Sequence, residues 1–262
     1  MCRLLGYLGS PLQLDQLLYK PEHSLVVQSY LPKEMKSGVV NADGLGIGWY
    51  HLTQDVEPFT YKNTLPIWND TNLPELSRYV ESDCVLAYVR SATPGQALHL
   101  GNCQPFRRER LLFIHNGFIQ HFRQTLYRAI RDRLSDEIYQ SIHGTTDSEH
   151  IFALFVNELQ AAPDASIEKA LSQTLIQLTQ LAQSDQVSFS ANVVISDGHS
   201  LVASRYALDT SAPSLYWLRD DPNYPNAVMI ASEPLFAGNW HSFPTNSLLV
   251  VKEDLEVHIN RL

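Results

Sequence analysis

The rhythm of short apolar runs constrains the fold of this chain more than any other feature. Segments 3–8, 45–51, 85–89, 111–115, 189–195, 201–205, 215–218, 228–231 and 247–251 are rich in aliphatic, β-branched and aromatic residues and are mostly bounded by Gly, Pro, Asn, Asp or Ser. Runs this short with turn chemistry at their ends predict strands. Helical periodicity is concentrated in the middle, at 73–81, 118–131, 148–160 and 167–182. In the first of these Asn72 is placed to cap and Pro74 to occupy the first turn. In the last, Ile167, Leu171, Leu175, Leu178 and Leu181 oppose Glu168, Gln173, Gln177 and Gln180, the stripe of a helix lying on a core. Grouped strands, helices between them and a closing third that is nearly all strand predict an α+β fold with helices packed outside antiparallel sheets. No repeat or low-complexity linker interrupts the pattern, so a single domain over 2–262 is expected.

Composition narrows the function classes. A chain of 262 residues, 44% hydrophobic, can bury a large core without staples and is not disordered. With 19 Lys and Arg against 28 Asp and Glu, a net charge of −9, nucleic acid and anionic membranes are poor partners. No apolar stretch approaches the ~20 residues of a membrane span. The opening MCRLLGYLGSP is too short in apolar residues to serve as an export signal, so cytoplasmic residence is expected. Three cysteines are too few and too unpaired for a disulfide framework or a zinc site. Cys84 in CVLAYV and Cys103 in GNCQP read as small buried hydrophobes. The ten histidines show no HxH or HExxH spacing, and nothing calls for a metal, nucleotide or flavin.

Cys2 is different. An initiator Met is normally trimmed before a small second residue, which would leave a cysteine with a free α-amine beside its thiol. One residue then carries a nucleophile and a base, with ordinary pKa values of about 8.5 and about 7.7 to 8.0 that allow proton exchange near neutrality. Other segments offer matching chemistry. In VRSATPG, 89–95, Arg90 ends an apolar strand where the chain enters a loop, and its planar fork suits a carboxylate. In HNG, 115–117, the Asn116 side chain and the Gly117 backbone N–H are two donors able to hold an oxyanion. Taken alone, Asn-Gly reads as a type I′ hairpin turn. In TTDSEH, 145–150, Thr146 or Asp147 caps a helix and Glu149 falls in its first turn, an ordinary capping sequence when considered by itself. NADGLGIGWY, 41–50, lacks the lysine of a phosphate loop, and its glycines predict close backbone approach.

Met-Cys, DGLGIG, RSAT, HNG and TDSE, in this order over the first 150 residues, resemble the N-terminal-nucleophile class-II glutamine amidotransferase superfamily. The longer stretches HSLVVQSY at 23–30, VNADGLGIGWY at 40–50 and VRSATPG are most similar to its ergothioneine-pathway amidases, which remove glutamate from γ-glutamyl-hercynylcysteine sulfoxide. The resemblance implies a four-layer αββα sandwich of two antiparallel sheets. It implies Cys2 as nucleophile, Asn116 and Gly117 as oxyanion hole, Arg90 and Thr93 on the α-carboxylate of the glutamyl group, and Asp147 on its α-ammonium. The implied partner is a small γ-glutamyl substrate, with no cofactor or metal. Two positions depart from the glutaminase domains of biosynthetic synthases: Val40 replaces an Arg and Pro94 begins no His-Gly, which argues against free glutamine as substrate. Since the residues after Asp147 are spent on the fold, a stand-alone hydrolase is expected. A glutaminase subunit serving a separate synthase is the alternative, and a noncatalytic module is a third reading. For a quaternary ammonium on the leaving group, Tyr30, Trp49, Tyr50, Trp68 and Trp240 are available aromatics, none assigned.

Overall fold

The computed structural model describes residues 2–35, 38–54, 56–93, 95–162 and 164–262. Met1 and Pro94, both used in the sequence reading, lie outside them. One sheet contains β1 (Arg3–Gln13), β2 (Leu45–Trp49), β3 (Phe59–Asn63), β4 (Glu81–Val89), β9 (Tyr216–Asp221), β10 (Tyr224–Ala231) and β11 (His241–Ser242). Its spatial order is β11-β9-β10-β1-β4-β2-β3. The other contains β5 (Phe106–Arg108), β6 (Leu111–Ile119), β7 (Phe189–Ser196), β8 (Leu201–Leu208), β12 (Ser247–Val251) and β13 (Val257–Arg261), in the order β13-β12-β8-β7-β6-β5. Every pairing is antiparallel.

Strand alternation builds the layers. Leu4, Leu86 and Tyr88 from the first sheet meet Leu112, Ile114, Val194 and Leu249 from the second, forming a core between the sheets. Leu5, Val85, Ala87 and Met229 point the other way, onto α1 (Asp15–Leu18), α2 (Leu25–Tyr30) and α3 (Leu73–Tyr79). Phe113, Phe189, Val193 and Ile195 of the second sheet face α4 (Leu126–Arg131), α5 (Asp136–Gln140), α6 (Asp147–Ala161) and α7 (Ile167–Ser184). The result is the αββα sandwich, an α+β fold. Among the described residues no helix is long and apolar enough to cross a membrane.

Local departures from expectation have identifiable causes. Gly9-Ser10-Pro11 does not end β1. The register shifts between Leu8 and Leu12, and the strand resumes beside Ser82 and Glu81, so Gly and Pro mark a bulge instead. His115-Asn116-Gly117 is not a hairpin turn, because β6 continues with Asn116 opposite Asn192 and Gly117 opposite Ala191. A Cβ at Gly117 would stand 2.0 Å from the Ser190 carbonyl oxygen, which explains the glycine by close approach. The helix expected over 118–131 begins only at Leu126. Phe122, Leu126 and Ile130 still join one core, so their four-residue spacing came from a shared face across a turn and a short helix. Asp70, not Asn72, caps α3, accepting from the Asn72 and Leu73 N–H groups at 3.1 Å each. The unpredicted β3, β5 and β13 are short and carry few buried residues.

The glycines of 44–48 behave as read. A Cβ on Gly46 would meet the Gln104 carbonyl oxygen at 1.7 Å, so β2 can approach that carbonyl only as glycine. Gly46→Ala is therefore expected to lower the free energy of unfolding by about 2 kcal/mol or more, an overpacking cost at a backbone neighbour that cannot rotate away; urea denaturation measures it.

Candidate active site

Cys2 directly precedes β1, a strand hydrogen-bonded on both sides, by β10 and by β4. Its side chain packs against the core between the sheets. Arg3 points to the opposite face and is fully buried, its Nε 3.5 Å from Glu233 Oε1. The Glu233 carboxylate also lies 2.7 Å from His23 Nε2 and accepts from the backbone N–H groups of Lys33 (2.8 Å) and Glu34 (3.0 Å). Burial alone would raise the pKa of Glu233, but the His23 and backbone hydrogen bonds and the Arg3 charge together hold it below its ordinary value. The strand presenting Cys2 is thus fixed by apolar packing on one face and by a buried ion pair on the other.

Arg90 follows β4. Its N–H donates to the Gly44 carbonyl (2.8 Å) and its carbonyl accepts from Asp43 N–H (3.0 Å), joining the end of β4 to the turn before β2. Gly44 has φ +127°, and a Cβ there would stand 2.8 Å from Cys103 Sγ. The Arg90 guanidinium donates to the Asp43 carbonyl (3.3 Å) and to Gln96 Oε1 (3.0 Å). The Asp43 carboxylate accepts from Ala92 N–H at 2.7 Å, which shapes the loop leading to Thr93.

On the second sheet, Gln104 clamps His115 through both backbone groups, accepting from its N–H (2.5 Å) and donating to its carbonyl (3.1 Å). The His115 ring turns toward α6, with Nδ1 2.8 Å from Ser148 Oγ. Burial pushes its pKa down against the pull of Asp147. Asn116, by alternation with Leu112 and Ile114, lies on the face toward the first sheet. Its side-chain amide is buried with no partner for either N or O among the described residues. Thr146 caps α6, accepting from Glu149 N–H at 3.2 Å. The Asp147 carboxylate accepts from Ser148 N–H (2.8 Å) and Ile119 N–H (2.9 Å), tying the start of α6 to the end of β6. Glu149 reaches back to the His143 and Gly144 N–H groups at 2.8 and 2.6 Å. The capping sequence is therefore a capping sequence, and it also positions Asp147.

A cavity of about 710 Å³ opens where these strand and helix ends meet, lined by Cys2, Thr93, Gly117 and Asp147 together with Phe118 and Phe122. Arg90 and Asn116, 2% and 1% exposed, lie outside this lining. None of Tyr30, Trp49, Tyr50, Trp68 or Trp240 borders the cavity: Trp49 lies against Phe59, Tyr30 against Trp68 and Trp240 against Phe236. Two contacts to Cys2 were not legible in the sequence. Tyr88 Oη donates to Cys2 Sγ at 2.6 Å, and Ser91 N–H donates to it at 3.4 Å. Only the register that sets Tyr88 opposite Leu4 brings them there.

A cysteine at position 2 that shares a cavity with Gly117 and the helix-initial Asp147 now has a family to be compared with. Residues 21–223 match the glutamine amidotransferases class-II family. The chain belongs to that family. It is 31% identical over 295 residues to the probable glutamine amidotransferase DUG3 of Saccharomyces cerevisiae, covering 97% of this chain and 82% of that one. It is 28% identical over 255 residues to the gamma-glutamyl-hercynylcysteine sulfoxide hydrolase of Mycolicibacterium smegmatis, covering 97% and 96%. Among solved structures, a glutamine aminotransferase class-II domain protein from Silicibacter pomeroyi superposes with TM-score 0.73 at 26% identity, over 100% of this chain and 99% of that one. The glutamine phosphoribosylpyrophosphate amidotransferase of B. subtilis shares the fold, with TM-score 0.67 at 17% identity, over 99% of this chain and 49% of that one.

In this class-II amidotransferase family member, the Arg3–Glu233 pair makes a prediction about stability. Glu233 has a depressed pKa, so its contribution is complete above its ordinary value of 4.5 and is lost as pH falls through and below that value. Glu233→Gln is expected to lower unfolding free energy at neutral pH by about 3 kcal/mol, because it leaves Arg3 buried without its counter-charge. It should also flatten the decline in stability below about pH 4.5. Denaturant titrations of both proteins across this range measure both effects.

Proposed function

We propose that the protein is an N-terminal-cysteine amidohydrolase that cleaves γ-glutamyl amide bonds. The observation that carries this reading is the convergence of Cys2, Thr93, Gly117 and Asp147 on one cavity. With Met1 removed, the Cys2 α-amine accepts the thiol proton and Sγ attacks the γ-carbonyl carbon. The carbonyl oxygen becomes an oxyanion held by the Asn116 amide and the Gly117 N–H, and such donors are worth ~3 to 4 kcal/mol each in the transition state. Collapse breaks the C–N bond while the α-ammonium protonates the departing nitrogen, leaving a γ-glutamyl thioester. Water, deprotonated by the same amine, hydrolyses the thioester and restores the thiol. Asp147 and Thr93 hold the two ends of the amino-acid head, fixing the γ-carbonyl against sulfur. Arg90 assists from behind the cavity lining: its guanidinium is held by a carbonyl and an amide, both neutral, so its charge is free to balance a substrate carboxylate.

For the substrate we favour γ-glutamyl-hercynylcysteine sulfoxide, supported by relatives named for its hydrolysis, one of them aligned over 97% of this chain. A leaving group bearing a quaternary ammonium would meet Phe118 and Phe122, the aromatics that border the cavity. A glutaminase subunit supplying ammonia to a separate synthase is the second reading, favoured by the equally extensive match to DUG3.

Released glutamate, measured on a panel of γ-glutamyl amides that includes free glutamine and γ-glutamyl-hercynylcysteine sulfoxide, separates the readings. The hydrolase reading expects the sulfoxide to be cleaved with the highest kcat/KM. Equal slow rates across the panel sink the substrate assignment, and a glutamine rate that climbs on adding a synthase partner favours the second reading. Cys2→Ala is expected to lower turnover by about 10⁴-fold or more with the fold intact; active protein that retains Met1 by mass spectrometry would overturn the role of the amine.

A further inference from the structure

Two hydrogen-bond donors converge on the sulfur of Cys2. Tyr88 Oη–H lies 2.6 Å from Sγ and Ser91 N–H lies 3.4 Å from it. The only acceptor facing the sulfur among the described residues is the Ser91 carbonyl, at 3.5 Å. Tyr88 is buried at 3% exposure in the core between the sheets. Among the described residues its hydroxyl has no partner other than Sγ. Burial and then the neighbouring Cys2 push the Tyr88 phenol well above its ordinary pKa, so it keeps its proton and remains a donor. A neutral thiol accepts hydrogen bonds weakly, whereas a thiolate accepts charge-assisted bonds that are roughly twice as strong as neutral ones.

We propose that Tyr88, with the Ser91 backbone N–H, forms a cradle for the charged sulfur of Cys2, and that Tyr88 is a positioning residue setting how much of the nucleophile is ionised. The consequence for turnover rests on the reading in the preceding subsection. In forming the thioester, sulfur gives up charge and becomes a poor acceptor, so the Tyr88 bond lowers the intrinsic reactivity of the thiolate while raising its population, a net gain for attack at neutral pH. In thioester hydrolysis the same sulfur leaves as an anion, and the bond assists its departure. The hydroxyl thus populates the attacking thiolate in the first half-reaction and eases its departure in the second.

Alkylation of Cys2 by iodoacetamide tests this without any γ-glutamyl substrate, with the rate followed across about pH 5 to 10 by mass spectrometry of the peptide containing Cys2. Tyr88→Phe keeps the ring and deletes the donor. A lost charge-assisted bond is expected to reduce the ionised fraction at neutral pH about tenfold. The freed sulfur is intrinsically more reactive, so the net rate there falls about threefold while the alkaline plateau rises about threefold, and the two profiles cross. Packing damage alone would scale the whole profile without a crossing. Superimposable or merely scaled profiles overturn the proposal. Tyr88→3-fluorotyrosine, a stronger donor of nearly the same shape, is expected to move the profile toward lower pH, and if Tyr88→Phe does not fold, an unmoved profile in this variant overturns the proposal instead. A shifted profile in a protein that hydrolyses no γ-glutamyl amide would uphold the Tyr88 cradle and remove the hydrolase reading. An unshifted profile in an active hydrolase would do the reverse.

Discussion

The position of β1 governs the rest of the molecule. Cys2 precedes the first strand, at a point where backbone outside a sheet is ordinarily free to fray. Here the residue after it enters a strand paired on both sides, Arg3 with Val89 and Leu5 with Ala231. Leu4 is driven into the core between the sheets and Arg3 into the buried pair with Glu233. Fixing β1 then fixes its neighbours: Tyr88 falls opposite Leu4, Arg90 follows the residue paired with Arg3, and the Asp43–Gly44 turn is bonded to Arg90. The second sheet takes its place through the shared core, which brings the Asn116–Gly117 end of β6 toward the same edge.

Much of this architecture was legible because its causes are local. The β7 run, the stripe of α7, the Thr146 cap and the close approach at Gly46 each follow from residues a few positions apart, and each is present. What was not legible depends on partners far along the chain. Nothing near Asn116 says that β6 will continue past it, because the strand that pairs there is β7, more than seventy residues later. Edge strands such as β13, VHINR, bury one face lightly and carry little periodic signal. The site divides in the same way. Cys2, Thr93, Gly117 and Asp147 stood out by residue type and motif order and share a cavity. Tyr88 resembled any core tyrosine, and only strand register reveals its contact with sulfur.

Electrostatics and packing serve different parts of the site. Glu149 and the Asp147 carboxylate satisfy backbone N–H groups of the loop before α6 and of the end of β6, so the acidic residues at the start of α6 maintain the loop and strand geometry that aims the cavity wall. Arg90 is held by the Asp43 carbonyl and Gln96, and the Asn116 amide is buried away from solvent with no partner among the described residues; groups screened so little by water act at greater strength than they would in solution.

The three cysteines divide the same way. Cys84 is fully buried beside Ser196 Oγ at 3.0 Å, and burial pushes its thiol up to about 12. Cys103 is buried as well, and burial raises its thiol above the ordinary value despite nearby Arg90 and Lys62. Cys2 alone borders the cavity. Oxidants and electrophiles that enter the cavity therefore meet the one sulfur that can react readily, and no second thiol borders the cavity to capture a sulfenic acid as a disulfide. Redox state and the reactivity of this chain are thereby joined at a single atom, and recovery from oxidation has to come from a thiol supplied by the solvent.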